Sequence, residues 1–147
     1  MTVNQLSVFI ENRPGSLAAF ASLLRERNID LRALSIADVE DYGILRVIVS
    51  DLHKASLALK EANYVFKITP VLAVPLKDAP GSLAEALDTL GEAGINIEYL
   101  YAFVGRQQDR AYVIFRVRDA DIDKAAQVLA KAGCAPISQE ELKQRNG

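Results

Sequence analysis

Two seven-residue stretches hold the polar groups best placed for chemistry in this chain. Asn12-Arg13-Pro14-Gly15-Ser16-Leu17-Ala18 and Asp78-Ala79-Pro80-Gly81-Ser82-Leu83-Ala84 share a pattern, with their prolines 66 residues apart. A Pro-Gly turn opening a helix leaves the first backbone N–H groups of that helix unpaired. Together with the helix dipole, those groups suit a carboxylate or a phosphate. Gly15 and Gly81 remove a side chain that would hold a ligand away from the backbone. Asn12 and Asp78 add a short polar acceptor beside each turn, and Asp30 and Asn96 add another at the start of the next strand. Amide donors next to carbonyl-type acceptors match the carboxylate and ammonium of a free amino acid. The plainer alternative is that Pro-Gly-Ser-Leu only makes a tight connection.

The elements around these turns repeat as well. Leu6, Val8 and Ile10 alternate with polar residues and predict a strand, which Leu72, Val74 and Leu76 match in the second copy. Pro14 suits the first helical position, and Leu17, Phe20, Ala21 and Leu24 follow at helical spacing. Leu83, Ala86, Leu87 and Leu90 do the same later in the chain. Strands are predicted over 31–37, 44–49 and 64–69, with a helix from about Asp51 between the last two. In the second copy strands are predicted over 97–104 and 111–117, a helix around Ile122–Ala132, and a short closing strand at 135–137. Pro75 is awkward in a central strand and predicts that its strand ends nearby. Gly105 to Arg110 reads as a polar turn, and Ser138-Gln139-Glu140-Glu141 as the capping box of a terminal helical turn. The order strand, helix, strand, strand, helix, strand is the ferredoxin-like βαββαβ, an α+β fold. Two such domains are expected, at 1–69 and 70–147, with a short tail from 138.

Composition narrows the function classes. The chain has 147 residues, 50% of them hydrophobic, and a formal net charge of −2. Its sequence pI is about 5.4, which offers no electrostatic footprint for nucleic acid and no basic face for a membrane. Met1 to Gln5 lacks a basic leader, and Glu11 interrupts the apolar run that follows. Cys134 is the only cysteine, so no internal disulfide or CxxC site can form. A cytoplasmic location is expected.

Both copies resemble ACT domains, the small-molecule-binding regulatory modules attached to many enzymes of amino-acid metabolism. The residues carrying the resemblance are the two turns with Asn28-Ile29-Asp30-Leu31 and Gly94-Ile95-Asn96-Ile97. The chain is most similar to stand-alone proteins built from two ACT domains. The resemblance implies a non-enzymatic protein without a cofactor that binds a free amino acid or similar small carboxylate. It also implies a homodimer, and a partner such as an enzyme of amino-acid metabolism. Second strands pair edge to edge in that family, which implies one eight-stranded sheet joined through 31–38 and 97–104. Ligands would sit at that seam, against Asn12, Arg13, Pro14, Gly15, Ser16, Leu17 and Asp30, or Asp78, Ala79, Gly81, Ser82, Leu83 and Asn96. Asp78 and Asp30 depart from the asparagines frequent in the family, so the two sites are expected to differ.

Other readings compete less well. His53 has no matched nucleophile or carboxylate, and Cys134 follows a glycine at a helix end. Asp38, Glu40 and Asp41 form an acidic turn without EF-hand spacing. Tyr99, Tyr101, Phe103 and Tyr112 would suit RNA stacking, but the RNP1 pattern is missing. Arg13 sits where a ferredoxin-like hydrolase would place an arginine, yet the second copy has Ala79. A structural subunit without a ligand is the main alternative to a sensor.

Overall fold

The structure, a computed structural model, describes residues 1–104 and 110–146. By its internal contacts the chain divides into two compact units, Asn4–Thr69 and Pro70–Gly147 with Met1–Val3. In the first unit β1 (Val3–Glu11), β2 (Leu31–Val39) and β3 (Tyr42–Val49) alternate with α1 (Ser16–Glu26) and α2 (Leu52–Glu61). β3 pairs antiparallel with β1, Val8 opposite Leu45, and with β2, Ile36 opposite Leu45. Leu6, Val8, Ile10, Leu45, Val47 and Val49 share one core with Phe20 and Leu24 of α1 and Ala55 and Leu59 of α2. Both helices therefore cover one face of the sheet. Leu17 and Ala21, expected on the buried stripe of α1, are exposed instead, because α1 leans on the sheet through Phe20 and Leu24, one turn further along.

The second unit repeats the plan with α3 (Ser82–Glu92), β5 (Tyr99–Val104), β6 (Arg110–Arg116), a 3-10 turn at Asp119–Asp121, and α4 (Ile122–Lys131). Leu72, Val74, Leu76, Val113 and Phe115 share its core with Ala86, Leu90, Ala125 and Leu129. The capping box is realised in α5 (Gln139–Asn146), where Ser138 Oγ accepts from Glu141 N–H at 3.2 Å. The polar turn at 105–109 lies outside the described residues.

The described strands number six, not eight, in the order β2-β3-β1-β4-β6-β5. Two physical reasons account for the difference. The strands expected at 64–69 and 71–76 fuse into β4 (Phe66–Lys77), twelve residues without a break. The closing strand at 135–137 is reduced to one antiparallel bridge between Ala73 and Ile137. Within its own unit β2 pairs with β3, and β5 with β6.

Neither proline interrupts β4. Ala73 O accepts from Ile137 N–H at 2.9 Å, so odd-numbered residues there aim their backbone groups away from β6. Pro75 shares that parity, and its missing N–H takes nothing from the β4–β6 ladder. Pro70 precedes the first residue paired with β6, Leu72 opposite Phe115. Its carbonyl instead accepts from Arg116 Nη1 at 2.9 Å.

Candidate functional site

Both repeated stretches fold into the same turn. Ser16 N–H donates to Arg13 O and Ser82 N–H to Ala79 O, each at 3.3 Å. Gly15 has φ 87° and ψ −12°, and Gly81 has φ 90° and ψ −15°. Proline second and a glycine at positive φ third define a type II turn. Pro14 thus belongs to the turn rather than to the first helical position, and α1 begins at Ser16 with Gly15 as its cap. A Cβ built on either glycine would meet nothing within 4 Å. Their positive φ is by itself a conformational reason for glycine at both positions. The first helical bonds are Ala19 N–H to Gly15 O at 2.9 Å and Glu85 N–H to Gly81 O at 3.0 Å. With Ser16 and Ser82 engaged in the turns, Leu17 and Ala18, or Leu83 and Ala84, supply the outward donors.

Asn12 is tied down on two sides. Its backbone N–H donates to Asp41 O at 3.0 Å, and its Nδ2 to Glu40 O at 2.9 Å. The acidic turn therefore acts through its carbonyls, as the anchor of Asn12. Asn12 Oδ1 is the acceptor end of the same amide. Arg13 Nε pairs with Glu11 Oε2 at 2.8 Å, with both side chains largely in solvent.

Asp30 is not part of this cluster. Its N–H donates to Ser50 Oγ at 3.0 Å and its carbonyl accepts from Ser50 N–H at 2.9 Å, beyond the far end of β3. Asn12 meets Asp41 and Asp30 meets Ser50, at opposite ends of β3, so the two lie roughly 30 Å apart at ~3.4 Å per residue. The second unit separates its pair in the same way. Asp78 follows Lys77, which lies opposite Arg110, whereas Asn96 precedes the Glu98 N–H that meets Arg116 O at 2.9 Å. Local sequence places these residues on elements but does not show that a full strand separates them.

Among the described residues, clefts border the first unit's elements. One of about 60 Å³ lies between Asn12, Ser16, Leu17, Ile36 and Asp38. A second of about 520 Å³ follows α1, along Arg25, Asn28 and Asp30, without an aromatic ring. The third, about 490 Å³, is bounded by Phe9, Glu11, Arg13, Ser16, Tyr42, Tyr64 and Val65. Phe9 and Tyr42 lie with ring centroids 5.9 Å apart and are 44% and 41% exposed. Tyr64 stands edge-on to Phe20 at 6.0 Å. Sequence reasoning missed Phe9 and Tyr42. The available signal was a phenylalanine at an outward position of β1.

The competing sites look different in three dimensions. Tyr112 is fully buried and stacks on Phe103 at 5.2 Å, and Tyr101 is also buried, so neither offers a face to a base. His53 is exposed on α2, and Cys134 donates weakly to Ala132 O at 3.7 Å. Among the described residues no helix is long and apolar enough to cross a membrane. Nor does any group of three or more His, Cys, Asp or Glu among them fit a metal ion.

Two units on one strand-helix-strand-strand-helix plan, with matched strand-to-helix turns, define a class, the tandem ferredoxin-like module. The family model for the ACT domain pair matches residues 1–145, and the chain belongs to that family. A solved structure from Bacteroides thetaiotaomicron is 38% identical, with TM-score 0.89, covering 98% of this chain and 97% of that one. The regulatory subunits of aspartate kinase from Thermus thermophilus and Thermus flavus share the fold. They are 17% and 16% identical, with TM-scores of 0.60 and 0.62, covering 89% and 88% of this chain and 92% of each of theirs. No curated protein matches.

Proposed function

We propose that this chain is a non-enzymatic regulatory protein that binds a free amino acid or similar small carboxylate, with ACT domains at 1–69 and 70–147. The observation that carries this reading is the duplicated type II turn opening α1 and α3, with Asn12 anchored beside the first. The ligand carboxylate meets the N–H groups of Leu17 and Ala18, and Asn12 Oδ1 accepts from its ammonium. Asp30 and Asn96, a strand's length away within their own units, join a site only where another domain supplies them. A homodimer provides that, and the edges of β2 and β5 are where a second copy would add. The regulatory subunits of aspartate kinase favour a readout through docking to an enzyme of amino-acid metabolism.

One observation favours the second reading, a structural subunit without a ligand: the positive φ of Gly15 and Gly81 explains both glycines by the turn alone. A thermal-shift screen of the common amino acids separates the two. A ligand at 100 times its Kd adds about 2.7 kcal/mol and raises the midpoint. If no amino acid, nucleotide or aromatic acid moves it, the structural reading replaces the sensor.

A further inference from the structure

β1 outruns the strand beside it. Asn12 N–H meets Asp41 O on the β3 side, so Phe9 and Glu11 aim their backbone groups at the opposite edge. Along that edge Ser7 Oγ meets Thr69 Oγ1 at 2.9 Å and Phe9 N–H donates to Val65 O at 2.9 Å. The two chains therefore run antiparallel, and β4 begins only at Phe66. By Asn63, at φ 63°, the neighbouring chain has turned into the end of α2, with its N–H on Lys60 O. Glu11 O is taken by Arg13 N–H at 3.1 Å. Phe9 O and Glu11 N–H are left without a backbone partner among the described residues.

The same edge borders the cavity of about 490 Å³ lined by Phe9, Tyr42, Tyr64 and Val65. A free acceptor and donor two residues apart on a strand edge are what the main chain of an extended peptide pairs with. An apolar occupant without a main chain would strip water from both groups and return no bond. The second unit keeps the edge and loses the wall. Ile137 N–H donates to Ala73 O, so Pro75 and Lys77 face the way Phe9 and Glu11 do. Pro75 stands for Phe9, and Arg110 faces Lys77 as Tyr42 faces Glu11. Cys134 N–H meets Leu129 O as Tyr64 N–H meets Leu59 O, which puts Cys134 and Ala135 in the places of Tyr64 and Val65. A requirement of the fold would act on both units alike, yet the bulky residues occur in one only. Phe9, Tyr42 and Val65 are also exposed.

We infer that this edge docks an extended segment of another protein, paired with Phe9 O and Glu11 N–H, with a bulky apolar side chain laid against Phe9 and Tyr42. The inference goes beyond amino-acid binding at the turn and does not need it, since Asn12, Leu17 and Ala18 lie outside this cavity's lining.

The test uses the whole chain and a library of N-acetylated, C-amidated hexapeptides varied at alternate positions. Fluorescence anisotropy reads affinity, and amide exchange reads the Glu11 N–H. Hexapeptides carrying Phe, Tyr, Leu or Ile should bind at least tenfold more tightly than those carrying Ser or Lys. The best of them should slow exchange at Glu11 tenfold or more and leave Lys77 unchanged. N-methylation at one position of that peptide should cost tenfold or more, as should Phe9→Ser or Tyr42→Arg in the protein. Both side chains are exposed, so the variants are expected to fold. Failure of every peptide, equal binding of the Ser-bearing ones, or tolerance of N-methylation at every position overturns the inference. Free phenylalanine matching the best peptide overturns it too, by making the cavity a small-molecule site. So does protection of Glu11 that rises with protein concentration alone, which would put a second copy on the edge.

Discussion

The two units share a backbone and differ in equipment. Their turns agree to a few degrees at Gly15 and Gly81, and their turn hydrogen bonds have the same length. Around that constant geometry the side chains diverge: Glu11 and Arg13 in one unit, Lys77 and Ala79 in the other. The cores diverge in a compensating way. Phe20 on α1 corresponds to Ala86 on α3, while Val47 of β3, opposite Leu6, corresponds to Phe115 of β6, opposite Leu72. Each core holds one phenylalanine from this pair of positions, moved from helix to strand. Packing density must be met in both units, but the element supplying the volume is free to change. The surface beside the turn carries no such constraint, and there the chemistry separates.

The largest expected effect tests the exchanged core volume. Phe20→Ala and Phe115→Ala should each cost about 3–5 kcal/mol, the usual range for emptying a buried aromatic site. Denaturant unfolding measures both. Adding Val47→Phe to Phe20→Ala should recover part of the loss if volume is what each core conserves between helix and strand. No recovery would mean that the two cores are built on different packing.

Next comes the turn itself. Gly15→Val and Gly81→Val force a β-branched residue to φ near 90° and should each cost roughly 1–3 kcal/mol. Equal losses at the two sites would show that the turns carry the same strain. A much smaller loss at one would break the equivalence. Valine at position 15 is therefore a poor probe of ligand approach, because it disturbs the fold as well.

What could be read in the sequence was what repeats locally. The 66-residue period, the helices and the alternation of β1 all follow from spacing that neighbouring residues determine. The fusion of β4 was hidden because Pro70 and Pro75 look like breakers until the bonding parity of the strand is known. The separation of Asn12 from Asp30 was hidden because strand register, not proximity in sequence, sets that distance. Phe9 and Tyr42 meet only through the pairing of β1 with β3, where Phe9 lies opposite Ile44 and Glu11 opposite Tyr42. Their shared wall is a property of register as well.

The helix after each hairpin gives a smaller contrast. Asp51 caps α2, its Oδ1 accepting from Lys54 N–H at 3.0 Å. Asp121 precedes α4 without a capping bond and pairs instead with Arg118 at 3.0 Å. Asp51→Ala should cost about 1 kcal/mol, and Asp121→Ala within about 0.5 kcal/mol of nothing, read from thermal unfolding. Equal losses would show that the two helices depend on their first residues alike.

The smallest effect bears on whether the two turns can hold the same ligand. Asn12 donates through Nδ2 to Glu40 O at 2.9 Å, which fixes the side chain beside the turn. Asp78 in its ionised form has no hydrogen to donate, so it cannot make the corresponding bond to a carbonyl. Asn12→Ala should therefore lower stability by about 1 kcal/mol, and Asp78→Ala by less than about 0.5 kcal/mol. Asn12→Asp separates donor from shape, since it keeps the size of the side chain and removes only the N–H groups. If the donor matters, Asn12→Asp should destabilise at neutral pH about as much as alanine, because a carboxylate would then face the Glu40 carbonyl. If Asn12→Asp is as stable as the parent, the bond to Glu40 does not set the first turn apart. The difference between the units would then lie wholly in Glu11, Arg13, Phe9 and Tyr42.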